Sequence, residues 1–198
     1  MGELRLVLRR ASKEDFEAVR NLLTDASRWL RRKGTDQWSA PWPNENGRND
    51  NIRRAIGAGR TWVAWDGDLA AATLTVSPHH HENWPPGNRH EQAVYVRRIA
   101  VNHTYSGRGL GGQLIDWAGL RARREYGARW IRAEVWTTNT QLHDYYRRQG
   151  FEYSGLSPVS GYPSAALFQK STDQIRPPEA PLFRDAPEGL FRAAPESR

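Results

Sequence analysis

The sequence predicts an α/β fold in which a mixed sheet is covered by helices on both faces. Apolar residues alternate with polar ones in several short segments, as in strands, and recur every three or four residues in others, as in helices. Asp66-Gly67 separates two strand-like segments and is typical of a β-hairpin turn. The predicted element order is βααβββαβαββ, with the hairpin in the middle and strands alternating with helices in the second half.

The first third of the chain predicts one strand followed by helices. Leucine occupies every second position from Leu4 to Leu8, with charged residues at Glu3, Arg5 and Arg9, which indicates a half-buried strand. Ser12 and the acidic residues after it are typical of a helix N-terminus. A second helix is predicted over residues 25–33, where Gly34 would end it, and residues 52–58 are compatible with a short helix.

The middle of the chain predicts three strands and a long helix. Residues 61–65 and 69–76 form the two arms of the predicted hairpin. Residues 94–101 carry apolar side chains on both faces, which indicates a central strand. An apolar stripe that starts at Leu110 predicts the helix that follows.

The last elements are shorter. Residues 130–136 predict a strand, and residues 139–149 predict a helix that ends at Gly150. Two further strands are predicted over residues 151–153 and 165–169.

The predicted domain spans residues 1–170 and is followed by a tail, residues 171–198. Five of the 12 prolines lie in this tail, and its charges nearly cancel. We therefore expect the tail to be largely disordered or draped over the body, although Leu182-Phe183 and Leu190-Phe191 are apolar pairs that could dock.

Composition excludes several kinds of chemistry. The chain has no Cys, so disulfides, thiolate metal sites and a cysteine nucleophile are ruled out. No apolar run is long enough to span a membrane and the N-terminus does not resemble a signal peptide, so we expect a cytoplasmic protein without a membrane partner. The net charge of +7 fits polyanionic partners or an arginine-rich surface.

A strand, a glycine turn and a helix follow one another within residues 94–115. Glycines let a backbone approach a ligand closely, and the first N–H groups of a helix have no partner within it. The helix dipole adds attraction for an anion. This stretch therefore predicts a phosphate-binding turn.

Two blocks of sequence resemble the GNAT superfamily of N-acetyltransferases, which bind acetyl-coenzyme A. The first is RIAVNHTYSGRGLGGQLIDWA, residues 98–118, and the second is NTQLHDYYRRQGF, residues 139–151. They occur in the order the family has, with a predicted strand between them. The resemblance implies a mixed, mostly antiparallel sheet whose central strands are splayed apart.

The resemblance also implies where the cofactor lies. Backbone N–H groups of the glycine turn would hold the pyrophosphate, and the strand before it would pair with the pantetheine arm. The thioester oxygen would then lie near the N–H of Val101. Ser106 stands where the family usually has Arg or Gln, and Arg108 is the residue that could supply the missing charge. The implied cofactor-binding residues are Ile99, Ala100, Val101, Ser106, Gly107, Arg108, Gly109, Leu110, Gly111, Gly112 and Asn139.

Tyr146 holds the position of the family's general acid, which protonates the departing thiolate of coenzyme A. We assign Tyr145, its neighbour, to packing. Glu134 is the first candidate for a general base, although a structural ion pair with Arg132 or Arg98 is equally compatible with the sequence, and a water molecule could serve instead.

The acceptor side is predicted to be rich in tryptophan. Trp29, Trp38 and Trp84 are the predicted substrate-binding residues, together with His80. Consecutive histidines over residues 79–81 point in different directions, so no metal site is predicted.

The leading hypothesis is an enzyme that moves an acetyl group from acetyl-CoA to a primary amine of a small molecule or peptide, by direct attack in a ternary complex. One alternative on the same fold is acyl transfer from aminoacyl-tRNA, which a basic surface would favour. The other is an acyl-CoA sensor without catalysis, against which Tyr146 argues. A monomer and a homodimer are both compatible with the sequence.

Overall fold

The computed structural model describes residues 6–39, 44–78 and 82–185, apart from the side chain of Arg89. In these ranges eight strands form one sheet, with four α-helices packed on its faces. The strands are β1 (Leu6–Arg10), β2 (Thr61–Asp66), β3 (Leu69–Ser77), β4 (Ala93–Val101), β5 (Trp130–Val135), β6 (Glu152–Leu156), β7 (Ala166–Ser171) and β8 (Phe183–Asp185). The helices are α1 (Phe16–Arg32), α2 (Glu45–Gly57), α3 (Leu110–Tyr126) and α4 (Thr140–Arg148).

The strand order across the sheet is β6-β7-β5-β4-β3-β2-β1-β8. Neighbouring strands are antiparallel except for β4 with β5 and β1 with β8, which are parallel. The predicted mixed and mostly antiparallel sheet is confirmed. The element order also matches the prediction, with β8 as one additional strand.

The two faces of the sheet bury separate apolar clusters. Leu114 and Ala118 of α3 pack against Val94 and Val96 in the larger cluster. On the opposite face, α1 and α2 cover a smaller cluster that includes Ala100 of β4. Because β4 contributes to both clusters, the structure confirms it as a central strand.

The first helix differs from the prediction. Residues 16–32 form a single helix, so the predicted separate helix over residues 25–33 is wrong. No glycine or proline interrupts this stretch, and the hydroxyl of Thr24 bonds back to the carbonyl of Arg20 at 2.9 Å within the helix. Gly34 does follow the helix in the left-handed region, with φ of 76°.

Helix α2 is longer than the segment predicted over residues 52–58. It begins at Glu45, where the side chain of Asn44 accepts a hydrogen bond from the N–H of Gly47 at 2.9 Å. The first two turns carry no buried apolar residue, because Ile52 and Ile56 are the buried ones. Hydrophobic periodicity therefore could not reveal the start of this helix.

The segment after Lys170 contributes to the core as far as it is described. Ile175 is 2% exposed within the larger cluster, and Leu182 and Phe183 pack against the same cluster. Phe183 also starts β8, which pairs with β1. Residues 186–198, which include Leu190-Phe191, lie outside the described ranges.

Strands β4 and β5 separate along their length. Their parallel pairing ends at Val96 and Ala133, although β4 continues to Val101. This is the splay that the resemblance implied, and it opens the sheet at its centre. In the ranges given above, no helix is both long and apolar enough to cross a membrane.

Candidate active site

A cleft with an internal volume of about 940 Å³ opens where β4 and β5 part. Its described wall is formed by α1 and the loop after it, by β4 and the glycine loop (residues 106–112), by β5, and by α4. Of the residues predicted for the site, the wall contains Trp29, Trp38, Ile99, Ala100, Val101, Ser106, Gly107, Gly109, Leu110, Gly111, Glu134 and Tyr146.

The end of β4 presents free backbone groups to this cleft. The N–H of Asn102 donates to the carbonyl of Ala71 in β3 at 2.8 Å. Adjacent residues of a strand direct their N–H groups to opposite edges, so the N–H of Val101 faces the other edge. That edge has lost its partner because β5 leaves β4 after Val96. An extended ligand could therefore pair with β4 as a strand does.

A β-bulge interrupts β4 just before this open edge. Ala100 pairs with Thr73 and Arg97 pairs with Thr75, so one residue of β3 faces two residues of β4, Arg98 and Ile99. Arg98 has a φ of 49°, which is uncommon for a residue with a side chain. The bulge re-aims the arginines of β4 at the cleft, where both belong to the wall.

The glycine loop has the geometry of an anion site. Gly107 and Gly109 have φ of 76° and 79°, and a Cβ at either position would meet no atom within 4 Å. The first hydrogen bond of α3 runs from the N–H of Gln113 to the carbonyl of Gly109 at 3.0 Å. The three N–H groups before Gln113 are therefore free of helical partners.

Arg108 does not belong to the cleft wall among the described residues, and neither does Gly112. The guanidinium of Arg108 lies over the ring of Tyr105, 5.7 Å from its centroid. Ser106 does line the cleft, so the loop offers a hydroxyl there.

The two sequence blocks meet where α3 begins. A Cβ on Gly111 would lie 3.2 Å from the hydroxyl of Tyr145 and 3.5 Å from the side chain of Val101. A Cβ on Gly112 would likewise come close to the side chain of Gln149. Glycine at these positions lets α4 approach the start of α3 closely.

Tyr146 lies at the cleft with most of its ring buried. It is 8% exposed, and its ring meets that of Phe151 edge-on at 5.2 Å and that of Tyr145 at 5.7 Å. Burial raises the pKa of the Tyr146 hydroxyl above its usual value of 10.0, and the neighbouring Tyr145 adds to the shift. The phenol therefore stays protonated at neutral pH.

Glu134 also reaches the cleft, but its carboxylate is already engaged. Arg97 donates to one oxygen at 2.6 Å, while Asn83 and Tyr162 donate to the other at 2.9 and 2.6 Å. The Glu134 side chain is 2% exposed. This arrangement fits the ion-pair role considered for Glu134, with Arg97 as the cation in place of Arg132 or Arg98.

Arg98 is charged and forms no ion pair with another residue of the described ranges. Burial is the main reason why the pKa of its guanidinium falls to about 10; the charges of Arg97 and Arg54 act in the same direction, and Tyr162 and Glu134 act in the opposite one. This pKa is far above 7, so Arg98 is a cation at neutral pH.

Asn139 is not among the described residues of the cleft wall, and its predicted contact with the cofactor arm stays a prediction. Its side-chain oxygen caps α4 by accepting from the N–H of Leu142 at 3.0 Å, and its NH₂ group donates to Gln37 at 2.6 Å. Asn139 is 7% exposed, and its side-chain amide is occupied by these two hydrogen bonds. The position of Asn139 at the start of the second sequence block is therefore explained by its capping of α4.

The structure corrects the prediction for Trp84. Its side chain is 1% exposed in a separate cluster with Tyr95, and the guanidinium of Arg132 lies 4.6 Å from its ring centroid. Its place beside asparagine and proline favoured a loop surface, but the ring instead covers one face of the sheet. His80 lies outside the described ranges.

Residues that the sequence analysis did not single out complete the acceptor side of the cleft. Gln37 and Trp136 belong to its wall. Asp36 accepts hydrogen bonds from the indole of Trp136 at 3.0 Å and the hydroxyl of Thr138 at 2.6 Å, which ties the loop after α1 to the start of α4. These contacts join residues about a hundred positions apart, so no local pattern could reveal them.

No metal site is formed by the residues that are described: no three His, Asp or Glu side chains among them come together as ligands would. The histidines at residues 79–81 are outside those ranges.

Comparisons with known proteins agree with this geometry. A family model described as an acetyltransferase (GNAT) domain matches residues 57–153. The uncharacterized N-acetyltransferase YesJ of Bacillus subtilis is 31% identical over 161 residues, which are 79% of this chain and 85% of that protein. A GNAT-family acetyltransferase from Listeria monocytogenes has a TM-score of 0.67 at 25% identity, covering 84% of this chain and 94% of that one.

A third relative is similar to this chain in fold, but its sequence identity is low. The PaiA N-acetyltransferase from Thermoplasma acidophilum, solved in complex with coenzyme A, has a TM-score of 0.63 at 14% identity and covers 84% of this chain and 98% of that one. A sheet splayed beside a glycine loop thus defines the class of the protein as an acyltransferase. The chain belongs to the GNAT family of N-acetyltransferases.

Proposed function

We propose that this enzyme transfers an acetyl group from acetyl-CoA to a primary amine of a small molecule or peptide, by direct attack in a ternary complex. The observation that carries the proposal is the open edge of β4, which leads directly into the glycine loop. An extended arm with a phosphate at one end fits such a slot, and the related PaiA structure contains coenzyme A.

The cofactor follows the direction of β4. Its pyrophosphate binds the free N–H groups at the start of α3, where the helix dipole favours an anion. Its pantetheine amides pair with the open edge over residues 99–101. The thioester carbonyl then lies beside the N–H of Val101, which stabilises negative charge on that oxygen as the amine attacks.

The reaction needs one proton donor and one proton acceptor. The amine nitrogen forms a bond to the thioester carbon, the carbon–sulfur bond breaks, and Tyr146 gives its proton to the departing thiolate. The new ammonium group loses its proton to solvent, and the phenolate of Tyr146 regains a proton from solvent. Glu134 would have to lose hydrogen bonds to accept the ammonium proton itself. We propose instead that the negative charge of Glu134, which is paired with Arg97, stabilises the ammonium group electrostatically.

Trp29 and Trp38 form the aromatic part of the acceptor side. Trp29 is 42% exposed, and Trp38 is held with a φ of 57° while its carbonyl accepts from the hydroxyl of Ser27 at 2.8 Å. Both side chains lie on the wall of the cleft. They offer apolar surface to the body of an acceptor.

The test is release of free thiol from acetyl-CoA in the presence of a panel of amines. We expect amine-dependent release and an acetylated product identified by mass spectrometry. Binding of CoA without release for any amine would favour the sensor, and acylation of the amine with aminoacyl-tRNA in place of acetyl-CoA would favour the tRNA-dependent alternative. Either outcome would overturn the proposal.

A further inference from the structure

The charges on the described cleft wall do not balance. Five arginines belong to it but only two carboxylates. Asp25 pairs with Arg28 at 3.0 Å, and Glu134 pairs with Arg97 at 2.6 Å. Three wall arginines have no carboxylate partner among the described residues: Arg32, Arg98 and Arg148.

These three arginines lie at different places along the cleft. Arg148 adjoins Gln149, whose side chain faces Gly112, so it belongs to the end where the glycine loop would hold phosphate. Arg32 ends α1 and is exposed at the rim. Arg98 is the one on the sheet itself, in the bulge of β4.

The position of Arg98 matches the acceptor. In the proposed binding mode the phosphates lie after Val101 in the chain and the thioester lies beside the N–H of Val101, so the acceptor approaches from the side of β4 that precedes Val101. Arg98 precedes that point and is roughly 10 Å along the strand from Val101. An anion bound there belongs to the acceptor, because the phosphates of the cofactor lie at the opposite end.

Two features of Arg98 are energetically unfavourable. A side chain at positive φ is strained, and such strain concentrates at functional sites. Arg98 is also half-buried, and a guanidinium that loses part of its hydration without a counter-ion is unfavourable. A bound anion would offset the unfavourable loss of hydration, since it would supply the carboxylate partner for Arg98 that the described wall lacks.

We infer that Arg98 binds a carboxylate of the acceptor, so that the substrates are amines that carry a carboxylate close to the amine, as amino acids do. This inference rests on the proposed function and specifies its substrate class. A guanidinium matches a planar carboxylate with two parallel hydrogen bonds. Glu134, whose charge acts on Arg98, would face the ammonium end of the same molecule.

The experiment compares each amino acid with its own carboxamide as acceptor for the full chain and acetyl-CoA. The readout is the ratio of kcat/KM for acid over amide. We expect Arg98→Gln to lower this ratio about 10- to 100-fold, the usual effect of losing a charge-assisted hydrogen bond, with the amide activity retained. The different basicity of the two amines cancels when variant and wild type are compared.

Two further variants sharpen the result. Arg98→Lys keeps the charge but loses the forked geometry, so its ratio should fall between those of wild type and Arg98→Gln. Arg32→Gln removes the unpaired arginine at the rim and should leave the ratio unchanged. An unchanged ratio in Arg98→Gln, or a loss in Arg32→Gln alone, overturns the inference.

A binding measurement separates this inference from the proposed function. Isothermal calorimetry first measures the binding of CoA to the protein. It then measures the binding of N-acetyl amino acids and of N-acetyl carboxamides to the CoA complex. Preference for the acids that disappears in Arg98→Gln supports the inference even without turnover. Normal CoA binding without that preference in the wild type overturns it and leaves the proposed function standing, whereas absence of CoA binding overturns the proposed function.

Discussion

At the scale of the residue, neighbouring side chains decide what each ionisable group can do. Tyr146 and Glu134 both reach the cleft, but their surroundings differ. Aromatic rings around Tyr146 exclude water and keep its proton in place. Among the described residues, Asn83, Arg97 and Tyr162 donate hydrogen bonds to the carboxylate of Glu134. Similar exposure therefore leaves a protonated phenol in one case and an ion-pair partner in the other.

Tyr146→Phe should lower kcat about 100-fold, because the departing thiolate would lose its proton donor. Burial holds the pKa of Tyr146 above 10.0, so the wild-type rate should show no descending limb up to about pH 10. Steady-state kinetics across pH measure both effects. Tyr145→Phe removes a neighbouring hydroxyl and should retain most of the turnover. Equal losses in the two variants would contradict the assignment.

Asp15→Asn should lower the free energy of unfolding by about 1–3 kcal/mol at neutral pH. The Asp15 carboxylate accepts from Arg9 at 2.7 and 3.0 Å and from the N–H of Ser12 at 2.7 Å. Burial raises the pKa of Asp15, but the hydrogen bonds from Arg9 and Ser12 outweigh it and hold the pKa below its usual 3.8. Urea denaturation measures the difference.

The same variant predicts a pH dependence. Because the folded-state pKa of Asp15 is depressed, its stabilisation is complete above 3.8 and is lost as pH falls through the folded-state value. The gap between wild type and Asp15→Asn should stay constant from about pH 8 to about pH 5 and narrow below about pH 4. Asp50→Asn, which removes an exposed pair with Arg53, should cost no more than about 1 kcal/mol. A gap that widened in acid would refute the assignment.

At the scale of the element, three local irregularities shape the site. Strand β5 leaves β4 after four paired residues, a bulge places Arg98 at the cleft, and left-handed glycines turn the chain into α3. Each irregularity interrupts regular hydrogen bonding and exposes backbone or charge to a ligand. The site thus consists of the places where strand and helix geometry is broken.

Gly109→Ala should destabilise the protein by about 1–2 kcal/mol, because the left-handed backbone at this N-cap disfavours a side chain. It should also weaken CoA binding by disturbing the first N–H groups of α3. Gly57→Ala is the matched control, since Gly57 ends α2 with ordinary φ and open space around it. That change should be neutral or stabilise by up to about 1 kcal/mol. Equal effects of both substitutions in urea denaturation would count against this explanation.

At the scale of the whole molecule, distant segments close the core and the cleft. The loop after α1 is tied to the start of α4 through Asp36, which brings the two sides of the acceptor region together. The segment after β7 returns across α3, where Ile175 enters the larger cluster and β8 extends the sheet beside β1. The chain beyond Lys170 therefore supports the fold.

Ile175→Ala should lower the free energy of unfolding by about 2–5 kcal/mol, because it empties a packed site beneath α3. A chain that ends at Ser171 should melt at a lower temperature than one that ends at Asp185, since it lacks both Ile175 and β8. Thermal unfolding followed by circular dichroism measures both. Equal melting temperatures for the two shortened chains would show that the segment adds nothing to stability.

Sequence reasoning recovered the elements whose signals are local. The hairpin, the central strand and the glycine loop follow from turn residues and from apolar periodicity, and the structure has all three. The start of helix α2 and the whole of β8 were missed because their apolar contacts are sparse or distant. Asn139 and Trp84 were assigned to the site from their neighbours in the chain, although their partners lie elsewhere in the fold.

The sequence by itself determined the family, the order of the elements and the glycine loop, because these depend on spacing along the chain. Only the tertiary structure decided which charges meet. It paired Glu134 with Arg97, buried Trp84 against Arg132, and left Arg98 in a bulge without a described carboxylate partner. Electrostatic partners are chosen by distance in space, and the sheet brings together residues far apart in the chain.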